Sequence, residues 1–225
     1  SFLNRYVLTA TMRSDGSSKF ATGQKWGFFP AAAFAWQLGQ ESWVKELGIF
    51  DDLKLRLSWG VTGNQSISAY STLNRYINDY YADPSNNSQI ALRLAGITNR
   101  NLKWETTKQA NIGLDATFWD NRIQLTVDAY QRNTHDLLQM MSIGLSNGFT
   151  AVPVNLGDIT NNGIETALNM TVIDKDNVVL SLGGNIGFNR NKVARLGLAP
   201  TSIFVDGVLH NKSFYFGDNI ATSQF

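Results

Sequence analysis

Cysteine is absent, and with it go disulfide frameworks, thiol nucleophiles and every metal site built on thiolates. Histidine is nearly absent too: His135 and His210 are isolated, and neither has the spacing of a metal pair. No sign of charge dominates, since 19 Lys plus Arg stand against 18 Asp plus Glu for a formal net charge of +1. That balance gives no electrostatic ground for a nucleic-acid partner or for an anionic membrane surface. Long apolar runs are missing as well, which excludes a transmembrane helix. A hydrophobic fraction of 43% with 16% charged residues excludes disordered and collagen-like chains. What is plentiful is aromatic: 13 Phe, 7 Tyr and 6 Trp, beside 19 Gly and only 4 Pro. Residues 1–13 already alternate and show no signal-peptide pattern, so the chain reads as a mature domain or a fragment.

Period-two alternation, the mark of a strand with two different faces, recurs along the chain. Tyr6, Leu8, Ala10 and Met12 oppose Arg5, Val7, Thr9, Thr11 and Arg13; around 30–38, Phe34, Trp36 and Leu38 alternate with Ala33, Ala35 and Gln37. Over 53–62, Leu53, Leu55, Leu57, Trp59 and Val61 oppose Lys54, Arg56, Ser58, Gly60 and Thr62. The pattern returns at 110–118, 123–132, 164–172 and 180–189. Seven strands result, most roughly ten residues or longer, where a globular strand averages about five to six.

The connections split into two kinds. Trp119-Asp120-Asn121-Arg122 and Asp174-Lys175-Asp176-Asn177 are tight polar turns, and 39–52 has room for one helical turn capped by Ser42. By contrast 14–25, 62–102, 139–162 and 191–225 are long and rich in Gly, Asn, Ser and Tyr. Counted by parity, the long connections share one end of the sheet. Long loops at one rim and short turns at the other are how outer-membrane barrels are built.

The polar face separates this pattern from a soluble sandwich, whose outer face is rich in Lys and Glu. Here it is mostly Thr, Ser, Asn, Gln and Gly with isolated charges, which suits a hydrated lumen. The apolar face of the strand middles carries no Asp, Glu, Lys or Arg. A Lys or Arg at mid-bilayer costs ~2–4 kcal/mol, so a lipid-facing band demands that absence. Lys108 shares the apolar parity and is placed at the long-loop end, above the hydrocarbon. Trp26 and Trp104 toward the long loops, with Trp36, Phe118 and Trp119 toward the short turns, read as two aromatic girdles at headgroup level. Bacterial single-chain barrels have even strand numbers, so seven strands read as part of a larger wall. The expected fold is an all-β antiparallel transmembrane barrel, with residues 1–225 forming a fragment of about seven to eight strands.

Residues 53–65, Leu-Lys-Leu-Arg-Leu-Ser-Trp-Gly-Val-Thr-Gly-Asn-Gln, resemble the SusC/RagA family of TonB-dependent outer-membrane transporters of Bacteroidetes. Six further stretches match in the family's order: Leu8 to Phe20; Phe28-Phe29-Pro30 with Trp36; Asn101 to Thr107; Asn111 to Asp115; Asn162 to Glu165; and Phe188 to Val193. The resemblance implies the middle to later part of a 22-stranded barrel around a plug, with the plug and TonB box outside this chain. It implies import of a bulky nutrient, glycan or oligopeptide, driven through TonB, under a SusD-like surface lipoprotein that lids the long loops. It also implies residence in the bacterial outer membrane, long loops outside and short turns periplasmic.

Catalysis has no support, and no cofactor is expected. Asp136 beside His135 points to the opposite strand face, Asp51-Asp52 reads as solvated, and Gly183-Gly184 with Gly187 opens no helix that would cradle a phosphate. In 66–102, Tyr70, Tyr76, Tyr80 and Tyr81, with Asn74, Asn78 and Asp79, are the candidate contacts for a sugar or partner protein. Alternatives to import are a scaffold barrel of the same lineage, a passive porin and a soluble sugar-binding β domain.

Overall fold

The computed structural model describes residues 3–82, 88–144, 148–175, 177–197, 201–205 and 208–212, and of the last two stretches the backbone alone. The first strands are β1 (Tyr6–Gly16), β2 (Trp26–Gln37), β3 (Phe50–Asn64), β4 (Tyr76–Ala82), β5 (Ser88–Leu94), β6 (Glu105–Phe118) and β7 (Ile123–His135). They continue as β8 (Leu138–Ser142), β9 (Ala151–Asn155), β10 (Asp158–Lys175), β11 (Val178–Arg195), β12 (Thr201–Val205) and β13 (Val208–Lys212). One helical turn, α1 (Ser42–Lys45), lies between β2 and β3.

Seven of these make one antiparallel sheet in the order β1-β2-β3-β6-β7-β10-β11. Each coincides with a stretch of alternating sequence, extended at its ends because ladder bonding continues after the alternation fades. The stretch read as 53–62 runs as Phe50–Asn64, and β10 and β11 reach 18 residues each. About 9–11 residues cross a bilayer as a tilted strand, so these strands project beyond it. The first and last strands of the sheet do not pair with each other, so the seven form an open segment of wall.

Three of the long connections contain hairpins that alternation does not reveal: β4 with β5, β8 with β9, and β12 with β13. An excursion of that length needs partners for its backbone N–H and C=O groups, and pairing on itself supplies them. The short ends differ in a detail. Glu41, not Ser42, occupies the N-cap of α1, and no side chain caps it. The turn after β6 holds Trp119, Asp120 and Asn121 at φ of 55°, 56° and 62°, left-handed values that Asn and Asp tolerate best. At the other hairpin β10 continues to Lys175, which pairs with Val178, so less of 174–177 is turn than its polar composition implies; Asp176 lies outside the described residues, as does the His210 side chain.

Register places like with like across the whole sheet. Leu8, Phe34, Leu57, Ile112, Ala129, Ile164 and Phe188 stand in one cross-strand row. In this row Leu8 is 75%, Ile112 51% and Phe188 68% exposed. Leu57 and Leu168 are exposed as well, while Leu55 and Leu125 are half-buried. The fully buried apolar residues among those described are only Phe20, Phe29, Val44, Leu102, Trp104 and Ala116. A soluble domain of this size hides far more, so among the described residues no second protein layer covers the apolar face.

Candidate functional site

The inner face is built from the residues that alternate against the apolar rows. Arg56, Gly113, Asp128, Glu165 and Gly187 form one of its rows, and Lys54, Asp115, Thr126, Ala167 and Asn185 the next. Arg56 donates through Nε to Asp115 Oδ2 at 2.7 Å and through Nη2 to Asp115 Oδ1 at 2.9 Å. The same Nη2 reaches Asp128 Oδ2 at 3.1 Å, on the strand beyond β6. Gly113 makes that reach possible: a Cβ there would lie 2.7 Å from Arg56 Cζ and 2.5 Å from Asp128 Oδ1. Tyr130 is accommodated in the same way, since a Cβ on Gly163 would lie 2.5 Å from its ring. Asp128 Oδ1 is buried and has no hydrogen-bond partner. Neutral pairs continue the polar wall, with Thr107 Oγ1 and Thr134 Oγ1 2.9 Å apart and Arg132 Nε donating to Gln109 Oε1 at 3.2 Å.

At the long-loop rim, residues far apart in sequence close into a small core. Phe20, Phe29, Leu102 and Trp104 are buried together, with Val61, Ile67 and Leu138 packed around them. The Phe29 and Trp104 rings meet edge to face at 5.5 Å between centroids. Trp104 Nε1 donates to the Lys25 carbonyl at 3.2 Å, and Thr72 Oγ1 to the Lys19 carbonyl at 3.0 Å. Asn155 ties the 66–104 segment to β9: its amide accepts from Lys103 N at 2.9 Å and donates to Lys103 O at 2.8 Å. Phe20 and Leu102 did not stand out by periodicity; the only signal was that both lie in stretches that resemble the transporter family.

The four candidate tyrosines are all exposed at this rim. Tyr70, at φ 65°, lines a groove of about 280 Å³ with Leu73, Arg75, Met140, Phe149 and Pro153. The other three sit on the β4–β5 hairpin and do not join it. Tyr76 and Tyr80 face the same way as Ile90, Leu92 and Leu94, which pair opposite them and Asn78, making an exposed apolar strip. Tyr81 points to the other side, with Ile77 and the Asp79–Arg93 ion pair of 2.7 Å.

The five girdle candidates divide. Trp26 at 67% and Trp119 at 71% exposure stand at opposite rims with open rings. Trp36 is half-buried against Tyr6, and Phe118 against Phe50 at 5.1 Å between centroids. Trp104 is corrected by the structure: only 8% of it is exposed, because its ring fills the rim core. Parity misplaced it, since Trp104 precedes the first ladder pair of β6, Asn64 with Glu105.

At the short-turn rim Glu41 gathers three strand-end side chains. It accepts from Arg5 Nη1 at 3.0 Å, Tyr6 OH at 2.9 Å and Trp36 Nε1 at 3.1 Å. The Trp36 and Tyr6 hydrogen bonds, with the Arg5 charge, hold its carboxyl below the ordinary carboxylate value. Asp51 and Asp52 are engaged too, accepting from Asn121 N and Leu53 N at 2.9 Å each. His135 Nδ1 stands 3.4 Å from Asp158 Oδ1, whose other oxygen is bound by Arg195 Nε at 2.8 Å. No group of three or more metal-ligating side chains occurs among the described residues.

Comparison with known proteins agrees with this geometry. The family model "TonB dependent receptor-like, beta-barrel" matches residues 1–217. The TonB-dependent receptor SusC of Bacteroides thetaiotaomicron is 38% identical over 200 residues, which is 87% of this chain and 20% of SusC. The TonB-dependent receptor P3 of Formosa agariphila is 36% identical over 195 residues, 87% of this chain and 19% of that protein. The chain therefore spans about a fifth of the length of these relatives. Among solved structures, the RagAB peptide importer in its closed-closed state superposes with a TM-score of 0.80 at 24% identity, covering 90% of this chain and 22% of that one. The siderophore receptor PirA from Pseudomonas aeruginosa superposes at 0.58 with 13% identity, over 86% of this chain and 33% of PirA. Greasy outside, polar inside, open at both edges and matched along nearly its whole length, this chain belongs to the TonB-dependent receptor β-barrel family.

Proposed function

We propose that this chain forms part of the wall of a SusC-like importer in the bacterial outer membrane, its hairpin-bearing rim extracellular and its short turns periplasmic. The observation that carries the reading is the unbroken apolar row from Leu8 to Phe188, in which Leu8, Leu57, Ile112, Ile164 and Phe188 are exposed, backed by the ion-paired inner wall of Arg56, Asp115 and Asp128. A lipid-facing band and a hydrated lumen need those two faces. The cargo is a bulky nutrient, glycan or oligopeptide, that moves when TonB acts on segments outside this chain. A SusD-like lipoprotein is the proposed lid. The apolar strip of Tyr76, Tyr80, Ile90 and Leu92 supports a protein contact at that rim, while the groove at Tyr70 suits a ligand. Uptake of labelled oligosaccharides and oligopeptides, in cells with and without the gene and with and without TonB, tests this. Loss of uptake in both deletions is expected. Uptake that persists without TonB means a passive pore, and uptake untouched by the gene deletion means a scaffold; either overturns the proposal.

A further inference from the structure

The outer face is not apolar over its whole height. Beyond the row of Trp59, Ala110 and Gln131, the outward-facing residues across four strands are Lys108, Asn133, Thr160 and Lys192. Arg190 stands on the same face, level with Gln131 and Asn162. All three cations are exposed. Neither Lys108 nor Arg190 has an ion pair among the described residues. The carboxylate of the next row, Asp158, is bound by Arg195 at 2.8 Å.

Their height follows from the register. Lys108 and Lys192 each lie ten residues beyond the row of Phe118, Ile123, Met170 and Leu182, since 118 − 108 and 192 − 182 both give ten. At ~3.4 Å per residue and a tilt near ~45°, ten residues rise ~24 Å, the height of a barrel's apolar band. The row slants by the same tilt, so Lys108 and Lys192 differ by ~10 Å in height. Each cation nonetheless follows the last apolar outward residue of its own strand, Lys108 after Ala110 and Arg190 and Lys192 after Phe188, on the headgroup side of the band beside the hairpin-bearing rim. Three strand spacings put the Lys108 and Lys192 backbones ~14 Å apart, a span that long flexible ammonium arms can close over one headgroup. Asn133, Gln131, Thr160 and Asn162 fill that span with neutral donors.

Directly below Lys108 the same face holds a groove of about 600 Å³, walled by Leu8, Phe34, Leu57 and Trp59 and floored by Ala110 and Ala129. The two alanines leave it shallow between bulky rims, which is a shape for a hydrocarbon chain. Cations above an apolar groove match an amphiphile whose charge is anionic. We infer that this face binds one phosphorylated membrane lipid, its phosphate on Lys108, Arg190 and Lys192 and an acyl chain in the Ala110–Ala129 groove. Guanidinium and ammonium groups suit phosphate oxygens, and the rows of opposite character fix the lipid's orientation. The inference rests on the apolar face meeting lipid.

The test uses the full-length protein, extracted in mild detergent from its own membrane, with bound phosphorylated lipid measured by native mass spectrometry. Wild type should retain it. The triple variant Lys108→Gln, Arg190→Gln, Lys192→Gln should retain at least fivefold less, and Ala110→Phe, which fills the groove and leaves the charges, should also lose it. Lys108→Arg with Lys192→Arg should keep it. Heat-modifiable gel mobility confirms that each variant is folded. Equal retention in wild type and triple variant, or none in wild type, overturns the inference; full retention by Ala110→Phe reduces the site to a free-phosphate patch and overturns it too. A spin label at Ile112→Cys, in a background free of other cysteines, reports separately on the face. Oxygen-accessible and water-shielded there with no lipid retained, the lipid site alone fails; a water-exposed label defeats the membrane reading itself.

Discussion

Arg56 on β3 binds Asp128 on β7 across an intervening strand, passing over Gly113 of β6, where no side chain stands in the way. One guanidinium thereby clamps three neighbouring staves of the wall. Replacing it with methionine leaves Asp115 and Asp128 facing each other without their cation. Both carboxylates are partly screened, so a loss of about 1–3 kcal/mol is expected, below that of a fully buried pair. Urea unfolding of Arg56→Met in lipid vesicles measures it. Gly113→Ala should behave in the same direction, because its methyl displaces the guanidinium, and adding Arg56→Met to Gly113→Ala should cost little more.

The two faces predict opposite tolerance to charge. Ile112→Arg places a cation on the exposed apolar row and should cost about 2–4 kcal/mol of folding free energy in a bilayer. Asn111→Arg, one residue away on the inner face, should cost less than about 1 kcal/mol. The folded fraction after refolding into vesicles separates them. Equal costs would mean that the faces are assigned wrongly.

Trp104 holds the rim. Trp104→Ala removes the ring that meets both Phe20 and Phe29, and should cost about 3–5 kcal/mol. The loss should be local, so limited proteolysis should cut within 66–102 while β10 and β11 stay protected.

Glu41 should make the short-turn rim acid-sensitive. Its carboxyl titrates below the ordinary 4.5 because the ionised form accepts from Trp36 and Tyr6 beside Arg5. The unfolded chain therefore takes up the proton first, and the stabilisation present above that value is lost as pH falls through the lowered one. Acid titration followed by the emission of Trp36 should show a transition below pH 4.5. Glu41→Gln should abolish it.

On the β4–β5 hairpin, Tyr80→Ala removes a ring from the apolar strip, whereas Tyr81→Ala alters the opposite side. If the strip meets the lid, co-purification of the lipoprotein should weaken for Tyr80→Ala alone.

Much of the wall was legible because β structure in lipid has a two-residue period that water-soluble packing does not dilute. Leu55, Leu57, Ile112 and Ile164 announced their face one strand at a time. Arg56 could be assigned to the inner face, but its partnership with Asp128 depends on register across two ladders, which alternation within a strand does not encode. Trp104 misled for a related reason: parity holds only inside a ladder, and its ring turns into the rim before pairing begins. The hairpin β4–β5 was missed because its tyrosines and polar residues read as loop, although Ile90, Leu92 and Leu94 alternate. Glu41 gave no signal at all, since its three donors arrive from separate elements.

The knot of Phe20, Phe29, Leu102 and Trp104, with Ile67 and Leu138 packed on it, joins the roots of three outer excursions. Fingers mounted on such a collar can be lengthened, shortened or exchanged without loosening the staves beneath them. A lineage that meets new cargo can therefore remodel its reach at the tips while the cylinder that sits in the bilayer stays as it is.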